Sequence, residues 1–206
     1  MTALFITFEG IDGVGKSTQA NLLQEYLEGL GHEVVRTLEP GGTELGQEIR
    51  QLLLHRKGEV APRAEALLFS ADRAHHVETK IRPALAAGKV VISDRYFDSS
   101  VAYQGAGRAL SMDEVRAVNL WAVGGLLPNL TILLDLDAAG ARQRRSKTGE
   151  APDRIEQEKI EYFEATRNAF LELAANEPER FFVVDAAQTV EQMQAQIRAR
   201  LNQLLG

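Results

Sequence analysis

Nine residues, Gly10-Ile11-Asp12-Gly13-Val14-Gly15-Lys16-Ser17-Thr18, fit the pattern GxxxxGK[ST] directly after the apolar run Ala3 to Phe8. A glycine-rich turn between a strand and a helix turns successive backbone N–H groups toward phosphate oxygens. Lys16 then reaches the β- and γ-phosphates, and the Ser17 hydroxyl can ligand Mg²⁺. Binding of a nucleoside triphosphate follows from this arrangement. An accidental glycine-rich helix cap accounts for the glycines and Thr18, but not for a lysine and a hydroxyl at fixed places.

Two further carboxylates stand at the ends of apolar runs, Asp94 after Val90-Val91-Ile92-Ser93 and Asp135 after Ile132-Leu133-Leu134. Only one is needed for magnesium. Asp94 is the stronger candidate because Arg95 follows at once and sets a cation beside a metal-directed anion; either aspartate could also be a simple helix cap. Cations beyond Lys16 are expected wherever a phosphoryl group is passed between two anions, since their charges repel. Arg50, Arg73 and Arg95 are isolated, whereas Arg142, Arg144, Arg145 and Lys147 are bunched. A basic last turn is ordinary helix chemistry. The adjoining Thr148-Gly149-Glu150-Ala151-Pro152, however, is suited to a hinged lid that closes arginines over phosphates.

The elements that must carry these residues follow from periodicity. Short β-rich runs recur at Ala3 to Phe8, Glu33 to Thr37, Lys89 to Ser93, Leu130 to Leu134 and Phe181 to Val184, with helical patterns between them. This alternation predicts a parallel sheet covered on both faces, with ligands at the carboxyl ends of the strands. Capping-box pairs Ser111 with Glu114 and Thr189 with Gln192 mark helix starts, and Gly88 is placed to stop a helix. Asp153 and Glu156 have the same spacing, which reads as the start of the helix bearing Tyr162 and Phe163. A long helix is predicted from Ala61 to Ala87, kinked or ended early by Pro83.

Composition narrows the class. The 206 residues are 45% hydrophobic, which suits one compact domain. With 23 Lys+Arg against 29 Asp+Glu the net charge is -6, which argues against nucleic acid as a partner. Cysteine is absent, so disulfides and thiolate metal sites are excluded. No apolar run is long enough to span a bilayer and the first residues already read as a core strand, so no membrane association and cytoplasmic residence are expected. A guanine-reading NKxD motif is absent, and Asp137-Ala138-Ala139-Gly140 reads as an ordinary helix start.

The segments Phe8 to Thr18, Glu39-Pro40-Gly41-Gly42-Thr43, and Asp94-Arg95-Tyr96 with Ser99-Ser100 and Ala102-Tyr103-Gln104-Gly105 together resemble the thymidylate kinases. The resemblance spans nearly the whole chain. It implies an α/β, P-loop nucleoside-monophosphate-kinase-like three-layer fold with a five-stranded parallel sheet. It also implies one kinase domain over 1–206 with a lid at about 141–153, usually in a homodimer. The implied reaction is transfer of the γ-phosphoryl of ATP to dTMP with Mg²⁺, giving dTDP and ADP.

Roles carry over residue by residue. Gly10 to Thr18, Lys16 above all, would hold the ATP phosphates, with Ser17 and Asp94 serving Mg²⁺. Arg50 and Arg95 resemble the arginines that grip the acceptor phosphate, a task suited to a planar guanidinium fork. Phe69 resembles the ring that stacks on thymine, and Arg73, one turn on and on the same face, the group that bonds a base oxygen. Without the resemblance Phe69 reads as core. Ser99, Ser100 and Gln104 complete the acceptor pocket, Tyr103 packs against the sugar 2′ carbon, Asp12 lies near the 3′-hydroxyl, and Glu39 lines the site.

Two departures from the family pattern matter. One branch carries an arginine in the phosphate loop where this chain has Gly13, so here the transition-state charge falls to the lid, to Arg142, Arg144 and Arg145. Leu38 stands where an arginine is frequent. Two alternatives remain on sequence grounds: a deoxynucleoside kinase, whose neutral acceptor hydroxyl needs a carboxylate base, and a nucleotide-binding regulator.

Overall fold

All five expected runs form strands; the three central ones are buried almost throughout, and the two edge strands only in part. The computed structural model describes residues 3–147, 149 and 151–205; Thr148 and Glu150, assigned above to the lid hinge, lie outside the described residues. The strands are β1 (Leu4–Glu9), β2 (Val34–Leu38), β3 (Val90–Asp94), β4 (Leu130–Asp135) and β5 (Phe181–Asp185), all parallel in the order β2-β3-β1-β4-β5. Every residue of β1 is buried. Its side chains alternate between the two faces, Phe5 joining one apolar cluster while Leu4, Ile6 and Phe8 join the other.

Because β1 is central, with β3 on one side and β4 on the other, the chain reverses its winding direction at its carboxyl end. Such a switch point leaves a crevice for ligand. The register sets Phe8 beside Asp94 and Glu9 beside Leu133, so the phosphate loop leaves the sheet next to Asp94.

The helices are α1 (Lys16–Gly29), α2 (Glu44–Arg50), α3 (Pro62–His76), α4 (Arg82–Ala86), α5 (Phe97–Ser100), α6 (Met112–Ala122), α7 (Ala138–Ser146), α8 (Ile160–Asn176) and α9 (Val190–Leu205). Their starts follow local chemistry. Ser111 accepts from Glu114 N at 3.3 Å, Asp137 accepts from Gly140 N at 2.8 Å, and Thr189 and Gln192 form a reciprocal capping box. Among the described residues no helix is long and apolar enough to cross a membrane.

Two local expectations are corrected. Pro83 does not end the long helix: a wide, π-helical turn at Val77–Ile81 joins α3 to α4, so the register shifts just before the proline's missing N–H. The Asp153–Glu156 spacing does form capping-box hydrogen bonds, with Asp153 N donating to Glu156 Oε2 at 3.0 Å and Glu156 N to Asp153 Oδ1 at 2.9 Å. They close an isolated turn, however, and α8 begins only at Ile160. The apolar stretch Val115 to Leu127 is helical only as far as Ala122, where two glycines with positive φ, Gly124 and Gly125, follow.

Candidate active site

The phosphate loop takes its shape from backbone demands. Gly15 caps α1 in the left-handed region, φ 100°, and offers no capping side chain, so the first amides of α1 are open to an anion. Lys16 Nζ folds back to Gly10 O at 3.0 Å and Ile11 O at 2.9 Å, close to the loop's own concavity. Burial and the facing Arg95 lower its pKa. Ser17 and Thr18 are exposed on the groove side.

Asp94 stands beside the loop, where Ser17 Oγ donates to its Oδ2 at 2.7 Å. Asp135 is committed elsewhere, to a two-bond pair with Arg167 of α8 at 2.6 and 2.8 Å. A hydroxyl and a carboxylate side by side are the hard oxygen donors that Mg²⁺ prefers, with water and phosphate completing its shell. Among the described residues no group of three or more His, Cys, Asp or Glu could hold a metal without such help.

Arg95 stands at φ 71°, which swings it back toward the loop. Its guanidinium donates to Asp12 Oδ1 at 2.6 Å, Tyr103 Oη at 3.0 Å, Ser99 Oγ at 3.1 Å and Gly10 O at 3.1 Å, and it lies over the Tyr103 ring. Burial alone would raise the pKa of Asp12, but the charges of Arg95 and Lys16 outweigh it and bring it down to about 2. Glu9, three residues earlier, moves the opposite way: burial and nearby Asp98 push it well above the carboxylate range.

The base side of the site rests on Arg73, which is fully buried. It donates Nε to Glu39 at 2.6 Å, Nη1 to Ser100 at 3.0 Å and to Asn119, and Nη2 to Tyr96 O at 3.1 Å. Among the described residues four of the five N–H groups of the guanidinium are thus used, and one on Nη2 has no partner. Glu39 does more than line the cleft. Its second oxygen meets His76 Nδ1 at 2.8 Å, and His76 Nε2 meets Thr37 at 2.6 Å, so β2 and α3 jointly fix Arg73.

A cleft with about 630 Å³ of unfilled space gathers all ten expected acceptor residues: Asp12, Glu39, Arg50, Phe69, Arg73, Arg95, Ser99, Ser100, Tyr103 and Gln104. Asp153, Ile155 and Glu156 of the post-lid turn also line it, and sequence reasoning missed all three in this role. A second groove, along Gly13 to Thr18 with Asp94, shares Asp12, Glu39, Arg50, Arg95 and Glu156 with the first. Two anions seated in these spaces would meet across those shared residues.

The cations of α7 lie in two adjoining spaces. Arg144 and Arg145 line the phosphate groove, with Arg144 donating to Ala186 O at 2.7 Å and Arg145 paired twice with Glu156 at 2.6 and 3.0 Å. Arg142 does not line that groove but an adjoining small cavity with Ile11, Ile160 and Phe163, which Asp12, Arg145 and Glu156 also line. Gly13 explains how the lid approaches. A Cβ there would run into the Ala141 carbonyl oxygen and come within 3.2 Å of Arg145 N, so α7 lies directly on the loop backbone.

This assembly, a phosphate loop opening onto an arginine-lined second anion cleft at the switch point of a parallel sheet, defines a P-loop phosphotransferase of the nucleoside-monophosphate-kinase type. Comparison with known proteins narrows the class. The thymidylate kinase family model matches residues 8–197, and the chain belongs to that family. It is 62% identical over 205 residues to the thymidylate kinase of Clavibacter sepedonicus, covering 100% of this chain and 97% of that protein. Against the thymidylate kinase of Bifidobacterium longum subsp. infantis the identity is 53%, covering 100% and 88%. A crystal structure of thymidylate kinase from Ehrlichia chaffeensis superposes with a TM-score of 0.81 at 31% identity, over 98% of this chain and 99% of that one. The family assignment removes the deoxynucleoside-kinase and regulator alternatives.

Proposed function

We propose that this thymidylate kinase seats ATP on Gly10 to Thr18 and dTMP in the adjoining cleft, and passes the γ-phosphoryl to the acceptor phosphate across Arg50 and Arg95. The observation that carries this reading is that all ten acceptor residues line one cleft sharing its wall with the phosphate groove. The acceptor phosphate is already ionised and needs positioning rather than deprotonation. Asp12 suits that requirement: with a pKa of about 2 it is a poor base at neutral pH, and it serves instead to hold Arg95.

Ser17 and Asp94 are the residues that would hold Mg²⁺, which when bound supplies positive charge between the donor phosphates. Arg144 and Arg145 would meet the charge that develops in transfer, since the loop itself carries glycine at position 13. On this reading the chain is of the branch with a basic lid, a single kinase domain with its lid at about 141–153, which the glycine at position 13 and the arginines of α7 support. Phe69 stacks on the base, Arg73 bonds its oxygen, and Tyr103 packs against the sugar 2′ carbon.

The same reading includes a homodimer and residence in the cytoplasm, where free nucleotides are consumed. Supporting the dimer, α3 and α6 share an exposed apolar surface bearing Leu67 and Val118, and Trp121, further along α6, is 84% exposed. The acceptor assignment is tested by Phe69→Ala. Loss of a base–aromatic stack, about 1–3 kcal/mol, raises KM for dTMP and leaves KM for ATP unchanged. Equal losses for both substrates would return Phe69 to the core.

A further inference from the structure

Glu65 has no part in the chemistry described above, yet it is a buried carboxylate beside the base pocket. It sits in the first turn of α3, and a glutamate there ordinarily faces solvent and complements the helix dipole. Here it is fully buried. Its Oε1 accepts from Gln104 Nε2 at 3.0 Å and Arg108 Nε at 3.0 Å, and its Oε2 from Arg108 Nη2 at 3.2 Å and Arg154 Nη2 at 2.5 Å. Burial opposes its ionisation, but these donors prevail and its pKa is lowered, so the group is an acceptor only.

An acceptor-only partner determines which way round an amide must lie. Gln104 gives its nitrogen to Glu65; turned over, it would set its own oxygen against a carboxylate oxygen. The amide oxygen therefore remains, and among the described residues it receives no hydrogen bond, although Gln104 is 1% exposed and lines the acceptor cleft. On the same cleft Arg73 has one N–H left over. Besides the second N–H of Gln104 Nε2, the wall thus offers the Arg73 N–H as a donor and the Gln104 oxygen as an acceptor. Thymine and uracil present the complementary pair on one edge, a 4-oxo acceptor and an N3–H donor, whereas cytosine presents the reverse, an amino donor and a bare N3.

We propose that Glu65 is a specificity-determining positioning residue: by fixing the Gln104 amide with its oxygen left for the base, it makes the cleft select a pyrimidine carrying N3–H. This rests on the reading of the cleft as the acceptor-base pocket. Discrimination then comes from polar groups that the wrong base leaves unpaired, a far stronger filter than shape alone.

The test compares kcat/KM for dTMP and for 5-methyl-dCMP, which share methyl group, sugar and phosphate and differ only along that edge. In Glu65→Gln the residue can donate, the Gln104 amide can turn over, and the dTMP preference falls by at least about tenfold. A purely structural glutamate would lower both acceptors by the same factor; an unchanged ratio overturns the proposal. Gln104→Leu separates the two levels of inference. If it reduces the ratio while Glu65→Gln does not, the proposal alone fails; if neither does, Gln104 does not meet the base and the pocket reading fails with it. Should Glu65→Gln not fold, the wild-type enzyme gives the answer through the Gln104 side-chain amide resonance, assigned by its loss in Gln104→Leu. Its nitrogen stays bonded to Glu65, so its exchange protection persists when dTMP binds. Transfer of that hydrogen bond to the base, seen as a large shift with altered protection, contradicts the proposal.

Discussion

Arg145 of α7 and Glu156 of the following turn are joined by two hydrogen bonds, at 2.6 and 3.0 Å, so the lid cation is held by a residue that also lines the acceptor cleft. Arg154 of the same turn is fixed by Glu65 and by Leu53 O. The C-terminal end of α7 therefore has a defined seat on this turn, which is tied in its turn to Glu65 and so to Gln104 in the cleft wall. A planar guanidinium bound twice keeps its orientation far better than one bound once.

The arginines of α7 should differ in consequence. Arg145→Ala and Arg144→Ala each lower kcat, by on the order of 10³-fold or more for whichever meets the transferred phosphoryl, with KM for dTMP little changed. Arg142→Ala lowers kcat far less, because its side chain does not line the phosphate groove that Arg144 and Arg145 share. Steady-state kinetics on the three single variants checks this; a dominant loss at Arg142 would reassign the lid.

Gly13 should resist the substitution that the other family branch suggests. Gly13→Arg introduces a cation at the phosphates, but its Cβ meets the Ala141 carbonyl and pushes α7 off the loop, and φ 90° adds backbone strain. The expected result is a fall in kcat despite the added charge, with Gly13→Ala similarly impaired. Turnover at or above wild type in Gly13→Arg would show that α7 is not required against the loop.

The Asp12–Arg95 pair carries a pH signature. Asp12 is depressed from an ordinary 3.8 to about 2, so its stabilising contribution is fully present above about pH 4 and is lost as pH falls from about 4 to about 2. Denaturant titrations across that window should show a steeper loss of stability in wild type than in Asp12→Asn. Parallel curves would mean that Asp12 titrates normally.

Much of this site was legible because its signals are local. The phosphate loop, Asp94 at a strand end, and Ser111 or Thr189 at helix starts are each signalled by a few consecutive residues with a local backbone role. The rest depends on contacts made far along the chain. Glu65 carries the sequence signal of a solvent-facing first-turn glutamate, and only packing against Gln104, Arg108 and Arg154 makes it a buried anchor. Asp153 and Glu156 form the bonds their spacing predicts, but the same bonds serve a turn as well as a helix start. The division between Arg142 and its neighbours depends on how α7 is rotated against the loop, which no spacing encodes.

The most direct measurement is ADP release from MgATP with dTMP, thymidine, AMP or no acceptor, under one set of conditions. A cleft built from Arg50, Arg95 and Arg73 for an anionic pyrimidine nucleotide predicts rapid ADP release with dTMP and background release with the other three. Release with thymidine equal to or faster than with dTMP, or release indifferent to every acceptor, would contradict the account.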